Sequence, residues 1–175
     1  GNTFDYASMH GRAIARAGYS FCSASAAAVE RSGIDPEACD VVDLILGKQR
    51  STLLGRGTGG YAFKTFTTDM QRVLADYLER GGSLFVSGSY VASDLTTGPE
   101  AGEAERAFVR EVLHCALEQE QTARRGDVRV VAPTLFSRGE YEFRTRPSRS
   151  CYGVETADAL RPVGCLLYTS PSPRD

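Results

Sequence analysis

Residues 67–95, TTDMQRVLADYLERGGSLFVSGSYVASDL, predict an amphipathic helix followed by a short apolar strand. Thr68 and Gln71 have the spacing of a capping box, and Gly81 can end the helix in the left-handed conformation. Residues 84–86 then form an unbroken apolar run, typical of strands buried on both faces of a parallel sheet. The apolar residues of the helix recur at the spacing of one face: Met70, Val73, Leu74, Tyr77 and Leu78.

The rest of the chain continues this alternation of helices and strands. A second apolar run, residues 41–46 (VVDLIL), predicts a buried strand interrupted by Asp43 alone. Alternation at this spacing favours parallel βα units, and because the chain opens on a helix we expect a first strand upstream of Gly1 to be missing. The predicted helices are 6–17, 25–31, 68–80 and 103–119, and the predicted strands are 19–22, 41–46, 84–86, 127–131 and 140–145.

Polar side chains follow two of these strands where each one ends. In open α/β sheets, ligands bind outside the carboxyl ends of the strands, so a site is expected at this edge. The groups there include hydroxyls, an amide, an acid and a base, which suit hydrogen bonding to a polar ligand. The candidate ligand-binding residues are Lys48, Gln49, Ser87, Ser89, Tyr90, Ser93 and Asp94.

The sequence does not assemble a recognisable catalytic set. SGSYV, which begins at Ser87, lacks the second glycine of a nucleophile elbow. His114 falls in the middle of a predicted helix, which favours a structural role. His10 is a secondary site candidate, and we expect it to lie beyond hydrogen-bond reach of Ser87, Ser89 and Asp94. No catalytic residue is therefore predicted.

Two other patterns are weak. GRGTGG, residues 55–60, matches the spacing of a dinucleotide fingerprint, but it does not directly join a strand to a helix. A flexible loop is the expected structure, and a nucleotide or flavin site rests on fold analogy alone. The cysteines include no CxxC pair, so no metal site and no cofactor are predicted.

Composition excludes some partners. The chain has 175 residues and a net charge of -2, so it has no general electrostatic attraction to nucleic acid. Its apolar stretches are far shorter than the roughly 20 residues of a membrane span. Neither nucleic acid binding nor a membrane span is predicted.

Several segments together resemble one family. They are GNTFDY, HGRAIARAGYSF, AVE, VVDLILGKQ, MQRVLADYLERGGSLFVSGSYVASDL and VETADAL, and they are similar to large multidomain bacterial proteins frequently labelled xanthan lyase. Members often carry a fibronectin type III segment and a golvesin-type carbohydrate-binding domain. The resemblance implies a secreted or cell-surface protein whose partners are a glycan or cell-envelope polymer and other domains of the full-length chain.

The α/β segment itself is similar to class I glutamine amidotransferases and to the flavodoxin-like architecture. This similarity implies three layers around a mostly parallel sheet. Amidotransferases carry a Cys nucleophile in a G-x-C-x-G elbow, which this chain lacks, so that activity is not carried over.

The sequence predicts one truncated domain, residues 1–164. Residues 165–175, CLLYTSPSPRD, resemble a translated sequencing adapter, and we expect them to be disordered read-through that makes no core contacts. The predicted function is a non-catalytic scaffold or binding module directed at a glycan or the cell envelope. The alternatives are a polysaccharide-active enzyme, a lyase or hydrolase as the family label implies, and a nucleotide or flavin binder.

Overall fold

A computed structural model describes residues 5–56, 59–120, 125–129, 140–144 and 157–164, which have a mixed α/β character, as predicted. The helices are α1 (Asp5–Arg16), α2 (Ala26–Ser32), α3 (Thr68–Glu79), α4 (Ser93–Thr96) and α5 (Glu103–Ala107), which continues as a π-helical segment, Phe108–Val112. The strands are β1 (Val41–Gly47), β2 (Thr52–Leu53), β3 (Tyr61–Ala62), β4 (Ser83–Gly88), β5 (Cys115–Gln119), β6 (Arg125–Arg129), β7 (Glu140–Arg144) and β8 (Ala159–Pro162).

The two apolar runs of the sequence form a parallel pair, as predicted. β1 and β4 are hydrogen-bonded neighbours, with Val41 opposite Ser83 and Ile45 opposite Ser87. The backbone N–H of Ser89 donates to Gly47 O at 2.8 Å, so the pairing reaches the carboxyl ends of both strands. Both strands therefore deliver their following loops to the same edge.

One face of this pair packs on the core and the other does not. Leu44, Leu84 and Val86 pack against the cluster that α3 contributes to. On the opposite face Val41 is 59% exposed and Phe85 is 47% exposed, so the prediction that both strands are fully buried is wrong. An apolar run does not specify how many layers cover a strand, and Val41 and Phe85 lie on the face away from the core cluster.

Helix α3 is the predicted amphipathic helix. Met70, Val73, Leu74 and Tyr77 are buried, while Leu78 is half-buried. Its N-cap is Thr67 rather than the expected Thr68, because Thr67 Oγ1 accepts the backbone N–H of Met70 at 3.1 Å. Gly81 follows with φ of +94°, the left-handed conformation that ends the helix.

The segment after α1 is not the strand predicted over residues 19–22. Tyr19 is 73% exposed, and no strand of the described chain pairs with it. A strand needs a neighbour for its backbone groups. Phe21 instead lies against α1, where a Cβ on Gly11 would come within 2.5 Å of its ring. Helix α2 begins after the predicted cap, Ser25, whose side chain accepts the N–H of Ala28.

The helix predicted over residues 103–119 is too long. The helical segment ends at Val112, and His114 has φ of +49°, a left-handed conformation that turns the chain. Residues 115–119 then form β5, which pairs antiparallel with β8. This pairing partner is distant in sequence, so the helical spacing of 113–119 could not reveal it.

The remaining pairs are also antiparallel, unlike the βα units expected from the alternation. β2 and β3 form a hairpin within the long loop after β1, and β6 pairs with β7. The predicted strands 127–131 and 140–145 correspond to β6 and β7, apart from residues 130, 131 and 145, which lie outside the described residues. The expectation about residues 165–175 also lies outside them.

Candidate functional site

The carboxylate of Asp94 organises the edge where β1 and β4 end. Asp94 is 4% exposed, at the start of α4. Its Oδ1 accepts the backbone N–H of Ser51 at 2.7 Å, and its Oδ2 accepts the backbone N–H of Thr65 at 2.8 Å. The hydroxyls of Ser51 and Thr65 also donate to Oδ2, at 3.3 and 3.1 Å. This buried charge is stable because protein donors satisfy both of its oxygens.

The carboxylate of Asp158, a residue distant in sequence, positions the start of α4. Asp158 Oδ2 accepts the backbone N–H groups of Ala92 and Ser93 at 3.0 and 2.8 Å. α4 has no side-chain cap of its own, so Asp158 supplies the capping acceptor. The backbone N–H of Asp158 donates to Ser89 O at 3.0 Å, which fixes it beside the end of β4.

The loop after β1 is anchored at a further point. Gln49 Nε2 donates to Lys64 O at 2.7 Å, and Lys64 Nζ forms an ion pair with Glu105 Oε1 at 2.7 Å. Both charged side chains of that pair are 15% exposed. The hydrogen bond from Lys64 lowers the pKa of the Glu105 carboxyl. The ends of the loop are thus tied to both α4 and α5.

A cleft of about 340 Å³ lies beside Asp94. At this cleft, the guanidinium carbon of Arg50 lies 4.7 Å from the centroid of the Tyr90 ring, a cation–π contact that orients the Arg50 fork. Thr97 Oγ1 donates to Glu120 Oε1 at 2.6 Å. The cleft is lined by residues 50–53, 90, 93, 94, 97–99 and 120.

Gly98, which follows α4 and lines this cleft, has no room for a side chain. A Cβ added at Gly98 would lie 2.2 Å from the carbonyl oxygen of Asp94. Glycine is therefore required for the chain to turn from α4 into Pro99. The cleft wall formed by residues 97–99 depends on this close approach.

The structure brings together part of the predicted set. Tyr90, Ser93 and Asp94 line the cleft. The other four candidates, Lys48, Gln49, Ser87 and Ser89, are not among its lining residues. Gln49 directs its amide to Lys64, and Ser89 is buried and forms backbone hydrogen bonds to Gly47 and Asp158. Gln49 and Ser89 therefore hold the loop and the end of β4 rather than line the cleft.

His10 pairs with a carboxylate elsewhere on the sheet. Its Nδ1 lies 2.6 Å from Asp43 Oδ2, and among the described residues it makes no hydrogen bond to Ser87, Ser89 or Asp94, as predicted. The side chains are 32% and 21% exposed. The separation along β1 from Asp43 to Gly47 is about 13 Å at the rise of a parallel strand, so this pair lies away from the cleft.

Sequence reasoning missed several cleft residues. Arg50 and Ser51 directly follow Gln49, so the expected site stopped one residue short of them. Thr97 lies one turn after Ser93, and it faces the same cleft for that reason. Glu120 had no usable signal, because it was placed beyond a helix that in fact ends at Val112 and is followed by β5.

The glycine-rich pattern lies in a different context from a nucleotide site. Gly55 and Gly60 have φ of +64° and +68° and lie within the connection between β2 and β3. A dinucleotide fingerprint joins a strand to a helix, whereas this connection joins two hairpin strands.

The comparisons with known proteins found no match: no protein-family model, no curated protein and no solved structure is significantly similar to the chain. Within the described part of the chain, no helix is long and apolar enough to cross a bilayer. No three His, Cys, Asp or Glu side chains of that part are grouped as metal ligands.

Proposed function

We propose that this chain is a non-catalytic binding module whose cleft beside Asp94 takes a polar ligand of the glycan class, within a secreted or surface-attached bacterial protein. The observation that carries the proposal is the cleft itself. It places the Arg50 fork and the Glu120 carboxylate around one small volume, with Ser93 and Thr97 beside them. Such groups suit hydroxyl-bearing ligands.

The chemistry of Asp94 also favours binding over catalysis. Oδ1 accepts from Ser51 and Oδ2 accepts from Ser51 and Thr65, so this buried acid is engaged in holding the loop. A general base needs a free lone pair within reach of the proton it removes. The half-buried thiol of Cys115 is a poor nucleophile, because burial, together with the charge of Asp158, raises its pKa.

The same proposal includes a finer fold assignment. α3 packs on one face of β1 and β4, while α1 contacts the opposite face through His10 and Asp43. Helices on both faces of a parallel pair support a three-layer arrangement of the glutamine amidotransferase-like or flavodoxin-like kind.

A polysaccharide-active enzyme is the second candidate, and one observation favours it. The 2.6 Å contact between His10 and Asp43 is the geometry in which a carboxylate orients an imidazole base. Asp43 Oδ1 is buried and has no hydrogen-bond partner among the residues that the structure describes. An enzyme would use this pair on the α1 face of the sheet, not the cleft.

Binding and turnover are separated by one experiment on the full chain. Neutral and acidic oligosaccharides are titrated by NMR, and the same samples are assayed for new reducing ends and for unsaturated uronate. We expect binding without turnover, weakened about 10-fold by Arg50→Ala on the scale of a charged hydrogen-bonding group. Arg72→Ala, an equal change on the exposed side of α3, serves as the control. Turnover that His10→Ala abolishes in a folded variant would establish the enzyme instead.

A further inference from the structure

Among the residues that the structure describes, Arg50 is the cation of the cleft and has no carboxylate partner. Arg50 is exposed, stacks on Tyr90 and forms no ion pair with a carboxylate of the described residues. Its guanidinium carbon lies 4.7 Å from the centroid of the Tyr90 ring, and a guanidinium group carries five N–H donors in a rigid planar fork. A planar fork of donors is thus presented at the cleft wall, and the ring of Tyr90, which is 7% exposed, is not itself a free platform.

The two acidic side chains of the cleft, Asp94 and Glu120, differ in whether they can accept a further hydrogen bond from a ligand. Asp94 already accepts four hydrogen bonds from Ser51 and Thr65, counting two backbone and two hydroxyl donors. Glu120 accepts at Oε1 from Thr97, and its Oε2 has no hydrogen-bond partner in the described part of the chain. Glu120 is therefore the acceptor that a ligand hydroxyl can reach.

The charges of the lining residues select against an anion. Among the described lining residues Arg50 is the one cation and Asp94 and Glu120 are anions, which gives a sum of +1 − 2 = −1. Glu100 adds a further carboxylate close by, 3.5 Å from Ser51 Oγ. An acidic ligand would gain one attraction and meet repulsion from several carboxylates, whereas a neutral polyol can accept from Arg50 and donate to Glu120 at once.

We infer that the cleft selects neutral sugars through a pair of adjacent hydroxyl groups and discriminates against uronic acids; this specificity rests on the proposed binding function. The Arg50 fork donates to the two hydroxyl oxygens, and Glu120 accepts from a hydroxyl hydrogen. The volume of about 340 Å³ lies at the lower end of small-molecule sites, about 300–1,000 Å³, and suits one or two sugar rings.

The test compares ligands matched except for the acid. Methyl α-D-glucoside, -galactoside and -mannoside are titrated into the full chain beside methyl α-D-glucuronide and α-D-galacturonide, and the backbone amides of Ser51 and Ser93 are followed by NMR. We expect the best neutral glycoside to bind about 5-fold more tightly than either uronide, the scale of one exposed charge interaction. Arg50→Lys, which keeps the charge but removes the fork, is expected to weaken the neutral ligand.

Glu120→Gln tests the specificity itself, because a residue with only a structural role would not change the ratio of the two dissociation constants. It keeps an acceptor for Thr97 but removes a negative charge, so the ratio of uronide to neutral dissociation constants falls towards one. Glu118→Gln makes the same change outside the cleft lining and leaves the ratio unaltered. Tighter binding of a uronide by the unmodified chain overturns the specificity and leaves the binding function standing. Absence of any response at the cleft amides with every glycoside overturns both.

Discussion

Asp94 Oδ1 lies 2.7 Å from the backbone nitrogen of Ser51, and this hydrogen bond joins α4 to the loop that leaves β1. The other oxygen of Asp94 accepts the N–H of Thr65 at 2.8 Å. Residues 51 and 65 flank the β2–β3 hairpin, so one buried side chain closes both ends of the same loop. The shape of the cleft therefore depends on a carboxylate rather than on apolar packing alone.

Asp94→Asn is expected to destabilise the fold despite its equal size. An amide has one oxygen, so in either orientation its NH2 group faces a backbone N–H, of Ser51 or of Thr65. Loss of one hydrogen bond to a charged group costs about 1.5–3 kcal/mol. Urea denaturation at neutral pH measures the free energy of unfolding directly.

Asp69→Asn is the matched control for that change. Asp69 lies in the first turn of α3, its side chain is 71% exposed, and its contact with Arg72 is a surface ion pair. Surface substitutions of this kind are usually within about 0.5 kcal/mol of neutral. Equal losses at Asp69 and Asp94 would show that the Asp94 cluster contributes no special stability.

Leu74→Ala tests the packing of α3. Leu74 is fully buried, in the cluster with Leu46, Phe66 and Leu95. Removing a fully buried leucine costs about 2–5 kcal/mol through lost burial and the cavity that remains. Leu53→Ala, at a side chain that is 47% exposed, is expected to cost much less in the same thermal and urea unfolding measurements. A similar cost at the two sites would contradict the core assignment.

Tyr77 makes the stability of the fold depend on pH in the alkaline range. Its hydroxyl lies 2.9 Å from Cys39 O and 3.2 Å from Ser83 O, and burial is the main cause that raises its pKa above the ordinary 10.0. The unfolded chain then releases this proton at a lower pH than the folded chain. The contribution of Tyr77 to stability is therefore fully present below pH 10 and is lost as the pH rises through the raised pKa.

Tyr77→Phe isolates that effect. The variant loses about 0.5–1.5 kcal/mol at neutral pH, because it lacks the hydroxyl hydrogen bonds. Its stability then falls less steeply above pH 10, which unfolding curves measured at a series of pH values will show. A parallel fall in the two proteins would mean that Tyr77 is not the group responsible.

The parts of the fold that could be predicted are those set by local pattern. The apolar stripe of α3 and the apolar runs in β1 and β4 depend on residues close in sequence, so spacing alone indicates them. β5 could not be predicted, since its partner β8 is distant in sequence and the left-handed turn at His114 falls on a residue with no glycine signal. The exposed face of Phe85 was missed because an apolar run does not reveal which layers cover it.

The candidate site likewise has one part that the local sequence predicts and another that depends on distant contacts. Tyr90, Ser93 and Asp94 were predicted from the end of one strand, and they line the cleft. The engagement of Asp94 by Ser51 and Thr65 was not predictable, because it joins residues that a hairpin separates. Asp158, which caps α4, comes from a distant segment and carries no local signal of that role.

Glu105→Gln is expected to remove an acid-dependent part of the stability. The hydrogen bond from Lys64 at 2.7 Å is the main cause that lowers the pKa of Glu105 below 4.5. Its contribution is therefore present above pH 4.5 and is lost as the pH falls through the lowered value. The variant should lose about 1.5–3 kcal/mol at pH 7, the range for hydrogen bonds to charged groups, and the difference from the unmodified chain should shrink in acid.

Glu103→Gln, at an exposed position of the same helix, is the control, and urea titrations from pH 7 downward give the comparison. A difference that stays constant from neutral pH into acid would show that the ion pair between Lys64 and Glu105 does not stabilise the loop.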